Sequence, residues 1–143
     1  MRFGKLITFE KQSFQIYQQK QQRLAKKKAV NISLKKVVVD AILDKKGNDV
    51  ITLDLRKIKD TVSEYFIITH GDSSTHVRAI SQNVLDETAK LGLMPYHSEG
   101  GKNAEWIIVD FVDVTVHIFL RDKRGFYNLE ELWSDAKTTK HEE

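Results

Sequence analysis

Two apolar runs in the second half of the chain constrain its fold most strongly. Residues 106–110 (WIIVD) and 114–120 (VTVHIFL) both have the composition of β-strands, and only residues 111–113 separate them. Because a crossover between parallel strands needs a dozen or more residues, these runs must pair as an antiparallel hairpin. Alternation along the second run places two sets of side chains on opposite faces. One set is Val114, Val116, Ile118 and Leu120, and the other is Asp113, Thr115, His117 and Phe119.

The stretch before this hairpin begins with a helix and a strand. A helix is expected to start at Asn31 or Ser33, either of which can cap it, and to end before Gly47. Residues 50–55 then alternate like a half-buried strand. The apolar side chains on its buried face are Ile51, Leu53 and Leu55.

A second strand and helix follow. Residues 65–69 (YFIIT) are apolar on both faces, so this strand should lie in the middle of a sheet that is covered on both sides. A helix follows Ser74 with Gly92 as its C-terminal stop, and residues 93–96 are expected to form a short edge strand. These elements predict a single α/β domain with a mixed β-sheet flanked by helices. The apolar stripe predicted for the helix is Val77, Ile80, Val84, Leu85 and Leu91.

Charge divides the chain into a basic arm and a mildly acidic domain. Of the 23 basic and 20 acidic side chains, residues 1–30 carry eight basic and one acidic, which leaves 15 basic and 19 acidic in the remainder. We expect residues 1–30 to be a disordered or loosely helical arm, residues 31–137 to form the folded domain, and residues 138–143 to be a polar tail. The simplest interpretation of the arm is a solvated tail. Contact with the phosphates of ribosomal or messenger RNA and organellar targeting are alternatives.

The composition excludes several classes of protein. The chain has no cysteine, so disulfides, thiolate metal sites and a cysteine nucleophile are excluded. No apolar run approaches the roughly 20 residues that a membrane span requires. We therefore expect a compact, soluble cytoplasmic protein without membrane contact.

The turn after the central strand is the best candidate for chemistry. Gly71, Ser73 and Ser74 lie between a strand and a helix, where backbone amides attract phosphate, so they form a candidate anion site. An ordinary helix cap at Ser73 or Ser74 explains the same residues. A nucleotidyltransferase would add two carboxylates separated by one residue to hold magnesium, but Asp86 and Glu87 are adjacent in a helix and point in different directions. The sequence therefore predicts no catalytic residue, no metal site and no cofactor.

Binding of a partner explains the hairpin better than catalysis does. His97, Glu99, Asp110 and His117 lack the close spacing of metal-binding histidine motifs. The hairpin face that ends in Phe119 combines an aromatic ring, expected to be exposed, with polar groups, which is typical of protein-recognition surfaces. The alternative is that the final helix covers this face as part of the core, through Leu129, Leu132 and Trp133.

Six segments of the folded part match a known family in content and order. They are Asp54-Leu55, residues 65–74, Glu99-Gly100, residues 106–110, residues 113–117 and residues 127–133. Together they resemble the ribosomal silencing factor family (Iojap/RsfS) over about residues 33–136. The resemblance implies a nucleotidyltransferase-like fold without the catalytic carboxylates. It also implies a function without a reaction: the protein binds the large ribosomal subunit at protein L-fourteen, blocks the small subunit sterically, and represses translation during starvation.

The resemblance also implies contact residues and self-association. Members of the family form homodimers, and we expect the same here. Two other classes remain open: a degenerate nucleotidyltransferase-like protein that binds nucleotide at residues 71–74, and an RNA-binding adaptor that acts through the basic arm. Within the matched segments, the expected partner contacts are Glu99, Trp106, Asp110, Asp113, His117, Arg124 and Tyr127.

One residue departs from the family pattern. The family usually carries glycine before the aspartate of the hairpin turn, and this chain has Val112 there. A β-branched residue tolerates a positive φ poorly, so we expect this turn to adopt another type or to shift its register.

Overall fold

The computed structural model describes the backbone of residues 2–142 and the side chains of residues 11–26 and 34–142. By its internal contacts the chain divides into two units, residues 1–33 and residues 34–143. The helices and strands along the described backbone are α1 Arg2–Asp44, β1 Asn48–Asp54, β2 Tyr65–Gly71, α2 Ser74–Ala89, β3 His97–Glu99, β4 Trp106–Asp110, β5 Val114–Leu120, α3 Arg121–Tyr127, α4 Leu129–Leu132 and β6 Lys137–His141.

The strands form one mixed sheet in the order β3-β4-β5-β2-β1-β6. Strands β2 and β5 are parallel, and the other neighbouring pairs are antiparallel. Strands β4 and β5 pair as the predicted hairpin, with Trp106 opposite Phe119 and Asp110 opposite Thr115. The apolar strand β2 lies between β1 and β5, as its composition predicted. The α/β fold class with a mixed sheet is therefore confirmed.

The two faces of the sheet pack against different parts of the chain. On the first face, Val116 and Ile118 of β5 lie in one cluster with apolar residues of α1, from Leu34 onward, and of α2. On the second face, Phe119 lies in another cluster with strands β1 and β2 and with the segment that follows β5. The predicted alternation of β5 is therefore confirmed. Strand β1 is buried on both faces rather than on one, because its Val50 belongs to the first cluster and its Ile51 and Leu53 belong to the second.

The second face is covered more completely than the sequence predicted. Phe119, His117 and Thr115 are 0%, 6% and 7% exposed, so the expectation of an exposed aromatic ring here is wrong. The ring of Trp133 provides part of the cover, because it meets the Phe66 ring edge-on with the centroids 5.9 Å apart. A face that alternates like a surface in sequence is thus part of the core.

The short helix α4 contributes one of its two leucines to this cover. Leu129 is buried in the second cluster, whereas Leu132, which was expected in the core, is 71% exposed. The helix spans a single turn and ends at Leu132, so only its first residue, Leu129, packs against the sheet.

The first helix extends further toward the N-terminus than predicted. Helix α1 begins at Arg2 and runs through residues 31–33, where the sequence predicted its start. The preceding stretch is rich in Gln and Lys, which are strong helix formers, so no cap is needed at that point. Despite the length of α1, no helix of the described residues has the run of apolar side chains that a membrane span needs. At the other predicted helix, Leu91 lies beyond the end of α2 and is 47% exposed, so it is not part of the buried stripe.

Two strand predictions also need correction. The edge strand is His97–Glu99 rather than residues 93–96, because Pro95 has no N–H to give to a ladder. The expected polar tail contains strand β6, which pairs with β1 and forms the edge of the sheet on that side. The Thr52 hydroxyl and His141 Nε2 lie 2.8 Å apart across this pair.

The hairpin turn holds Val112 in a left-handed backbone conformation. Its φ is +76°, and the Asp113 N–H donates to the Phe111 carbonyl at 3.1 Å across it, as in a γ-turn with a positive central φ. The expectation that valine would force another turn type is therefore wrong. Two side chains hold the turn in place. The Val112 N–H donates to Asp110 Oδ1 at 2.7 Å, and the Ser63 hydroxyl donates to the Val112 carbonyl at 3.0 Å.

We expect Val112→Gly to raise the free energy of unfolding by about 0.5–1 kcal/mol. The left-handed conformation costs an L-residue about 1–2 kcal/mol, and glycine avoids this cost. The greater conformational entropy of glycine in the unfolded chain offsets part of the gain. Val112 is 47% exposed, so little packing is lost. Urea unfolding followed by tryptophan fluorescence measures the change. Val62→Gly, at an 88% exposed loop valine, is the control. Equal stabilisation by both variants, or destabilisation by Val112→Gly, would contradict the argument.

Candidate functional site

Part of the second face, along β3 and β4, is left uncovered by the segment that follows β5. Residues paired directly across strands share a face, so Glu99, Ile108 and His117 form one row, and Trp106 and Phe119 form another. In both rows the side chains are buried on β5 and become more exposed toward the edge of the sheet. We name this uncovered part the open face. It consists of His97, Glu99, Trp106, Ile108, Asp110 and, at its border, Tyr127.

Stacked aromatic rings form one end of the open face. The half-buried Trp106 ring stacks on the buried Phe119 ring, with centroids 5.0 Å apart and planes 29° apart. The Tyr127 ring lies 4.6 Å from the Trp106 ring, and Phe126 meets Tyr127 edge-on at 5.1 Å. Helix α3 follows β5 directly and therefore returns Tyr127 to this end of the sheet. Tyr127 and Phe126 are 44% and 76% exposed, so the stack leads from the core to the surface.

His117 orients Trp106 from below. The Trp106 indole N–H donates to His117 Nδ1 at 3.1 Å, so in the neutral imidazole the proton is on Nε2. Within the described residues, Nε2 has no hydrogen-bond partner. Burial lowers the pKa of His117 to about 4, and the nearby Asp110 carboxylate opposes this only weakly. His117 is therefore neutral at physiological pH, and it contributes to the open face through Trp106 rather than by direct exposure.

The acidic candidates are distributed along the open face. Glu99 lies on the edge strand, with its carboxylate 3.3 Å from His97 Nε2, and both side chains are exposed. Asp110 is half-buried, and its carboxylate holds the hairpin turn in which Asp113 lies. Asp110 and Trp106 occupy opposite ends of β4, four residues and therefore about 13 Å apart. The open face thus has an aromatic end and an acidic end.

Arg124 does not lie on the open face. Its guanidinium donates to Glu130 Oε1 at 2.8 Å, to the Asn48 carbonyl at 3.2 Å and to His70 Nδ1 at 2.9 Å, and its side chain is 12% exposed. Burial, and secondly the Arg124 charge, lower the pKa of His70. These contacts tie α3 and α4 to β1 and β2, beside a cleft of about 690 Å³ that is lined by the turn between α1 and β1, by β1 and β6, and by Arg124 and Glu130. Sequence reasoning missed Asn48, His70 and Glu130 because they lie far from Arg124 in the chain or in a separate helix.

The turn at residues 71–74 is an ordinary helix start. Ser73 Oγ accepts a hydrogen bond from the His76 N–H at 3.1 Å, which confirms the helix-cap interpretation. The Asp72 carboxylate lies at the same turn, and the Asp72 N–H donates to His76 Nδ1 at 3.0 Å. An anion site at Gly71, Ser73 and Ser74 remains a prediction. Among the side chains that the structure describes, no three histidine or acidic groups lie close enough together to share a metal ion. The partners of the Asp72 carboxylate are Asn48 and Arg121.

Comparisons with known proteins agree on one family. The family model described as "ribosomal silencing factor during starvation" matches residues 19–143. The ribosomal silencing factor RsfS of Bacillus subtilis is 40% identical over 104 residues, which cover 73% of this chain and 87% of that protein. A crystal structure from Chromobacterium violaceum matches with a TM-score of 0.68 and 34% identity, covering 71% of this chain and 84% of the other. A second, from Bacillus halodurans, gives a TM-score of 0.66 and 34% identity, covering 75% and 96%.

Proposed function

The chain belongs to the ribosomal silencing factor family, and we propose that it binds the large ribosomal subunit at protein L-fourteen and sterically blocks association with the small subunit. Translation is repressed by occupancy, without a reaction. A folded unit of about 110 residues has a radius of gyration of roughly 13 Å, so one copy on the joining surface would hold the two subunits apart. The relatives' name, ribosomal silencing factor, supports the general function, and the open face supports a protein partner.

The observation that carries the proposal is the aromatic stack with an acidic rim on the open face. Trp106 and Tyr127 are rigid rings that a partner can cover, and such residues commonly dominate the binding energy of interfaces. Glu99 and Asp110 give the face a negative rim, and residues 31–143 together carry 19 acidic against 15 basic side chains. This charge suits a basic partner such as a ribosomal protein and should speed association at low salt.

Among the expected contact residues, the proposal assigns direct contact to Glu99, Trp106, Asp110 and Tyr127. His117 supports Trp106 from the core, and Asp113 lies at the hairpin turn beside Asp110. We also propose that the protein forms homodimers through the same face. A second copy bound there would compete with the ribosomal subunit. An RNA-binding adaptor acting through the basic arm is the second candidate, favoured by the charge of residues 1–30.

We expect Glu99→Lys to weaken binding to the large subunit about tenfold, because the reversed charge would repel a basic partner at the rim. Glu99 is exposed on an edge strand, so the fold should tolerate the change. Pelleting with isolated large subunits measures the affinity, and light scattering during subunit joining measures the block. Asp44→Lys is the matched control, because it makes the same charge reversal at an exposed site at the end of α1. Unimpeded subunit joining at saturating wild-type protein would rule out the function, and equal effects of the two variants would remove the open face from it.

A further inference from the structure

Residues 11–26 of helix α1 form a fully exposed basic segment. All sixteen side chains are exposed, and four of them are basic while none is acidic. Six glutamines add amide donors and acceptors between the charges. At 1.5 Å per residue the segment is about 24 Å long, so it can follow several phosphates of a nucleic-acid strand. The basic side chains are Lys11, Lys20, Arg23 and Lys26.

The helical repeat sorts these side chains into two sides. At about 100° per residue, Phe14, Tyr17 and Leu24 fall on one narrow stripe, and each of them is 60% exposed. The four basic residues spread over the other half of the helix circumference: Arg23 and Lys26 lie opposite the stripe, and Lys11 and Lys20 border it. A cationic half beside exposed aromatic rings matches the two chemical features of RNA, its phosphates and its bases, which stack on aromatic side chains.

An RNA partner fits this segment better than a membrane surface does. A helix that lies in a membrane interface needs a broad apolar face. Here Gln21 interrupts the stripe between Tyr17 and Leu24, and Ile16 lies on the basic half. The apolar contact available to lipid is therefore small, whereas four exposed cationic side chains are available to phosphates.

We infer that residues 11–26 bind the RNA backbone and give the protein a second contact, with ribosomal RNA of the large subunit. That the RNA is ribosomal rests on the proposed function, whereas binding to the RNA backbone rests on this segment alone. The family match begins at residue 19, so Lys11, Phe14 and Tyr17 lie outside the part that the family model covers. Lys20, Arg23 and Lys26 lie within it. The contact proposed here is separate from the docking on the open face.

Fluorescence anisotropy with a labelled RNA hairpin of about 20 nucleotides tests the inference on the full chain. The arm variant replaces Lys11, Lys20, Arg23 and Lys26 with glutamine, which is also a strong helix former. Loss of four phosphate contacts should reduce the slope of log K against log salt by about 3. Between 50 and 200 mM salt, the affinity of the wild type should therefore fall about 60-fold more than the affinity of the arm variant. The matched control makes the same charge change on exposed lysines of the folded domain. Its substitutions are Lys57→Gln, Lys59→Gln, Lys102→Gln and Lys137→Gln.

The control should retain the wild-type salt slope and bind within about twofold of wild type. Unchanged binding by the arm variant, or an equal loss in the control, would overturn the inference. Binding of the wild type to vesicles of anionic phospholipid, without binding to the hairpin, would overturn it in favour of a membrane contact. Light scattering during subunit joining separates this inference from the proposed function. If the wild type binds the RNA hairpin through residues 11–26 but leaves subunit joining unimpeded, the proposed function is wrong. If the arm variant keeps full affinity for the RNA hairpin and still blocks subunit joining, only the inference about residues 11–26 is wrong.

Discussion

Phe119→Ala is expected to lower the free energy of unfolding by about 3–5 kcal/mol, which is the usual cost of removing a buried phenylalanine ring. Phe119 is 0% exposed, and its ring stacks with Trp106 and faces Tyr127 at 6.1 Å. The cavity left behind would lie directly under the open face. Urea unfolding followed by tryptophan fluorescence measures the loss.

Two matched variants make this result interpretable. Phe126→Ala makes the same substitution seven residues later at a 76% exposed ring, and it should change stability by no more than about 0.5 kcal/mol. Phe119→Leu keeps most of the buried volume and should cost less than about 1.5 kcal/mol, so it remains measurable if the alanine variant does not fold. A loss in Phe119→Ala no larger than in Phe126→Ala would contradict the buried position of Phe119.

The protein is expected to lose about 3 kcal/mol of stability through His117 as the pH falls from 6.5 to 4. The ordinary pKa of histidine is 6.5 and the folded state lowers the pKa of His117 to about 4. In this window the unfolded chain binds a proton that the folded protein does not, so stability is complete above pH 6.5 and decreases as the pH falls. Each pH unit within the window costs about 1.4 kcal/mol. His70 and His141, whose pKa values burial also lowers, act in the same direction.

Urea unfolding at several pH values between 7.5 and 4.5 measures this slope. His117→Gln retains a group that can accept the Trp106 hydrogen bond but cannot titrate, so its slope should be shallower than that of the wild type. His97→Gln removes an exposed imidazole instead and is the control. A wild-type slope in His117→Gln would refute the assignment, whatever the absolute stability of that variant.

The sequence was sufficient for the parts of the fold that depend on local spacing. The three residues between β4 and β5 leave only a hairpin, and the alternation of β5 gives its two faces. The cap at Ser73 likewise depends on neighbours within one helical turn. In such places a nearby residue decides the structure.

The remaining features depend on residues that are distant in the chain. The burial of Phe119 depends on the path of the segment after β5. No local sequence pattern encodes that path, so the expectation from the sequence that the ring is exposed was wrong. The turn in which Val112 has a positive φ is held by Asp110 and also by Ser63, which is 49 residues away and donates to the Val112 carbonyl. Arg124 was expected at the partner surface, but its hydrogen bonds reach His70 and Asn48, 54 and 76 residues away. Tertiary contacts thus override local preference at the candidate site.

The stack of Phe119, Trp106 and Tyr127 also constrains how descendants of this chain can diverge. In most domains the interior is selected for folding and the recognition surface for its partner, and the two can drift separately. Here the Phe119 ring lies in the interior, the Trp106 ring is half-buried, and the Tyr127 ring lies at the surface. A smaller side chain beneath would tilt the ring above it, and a new contact at the surface would disturb packing below. If the open face is the recognition surface that we propose, changes at these three positions should be accepted together or rejected together, because each of them affects both folding and binding.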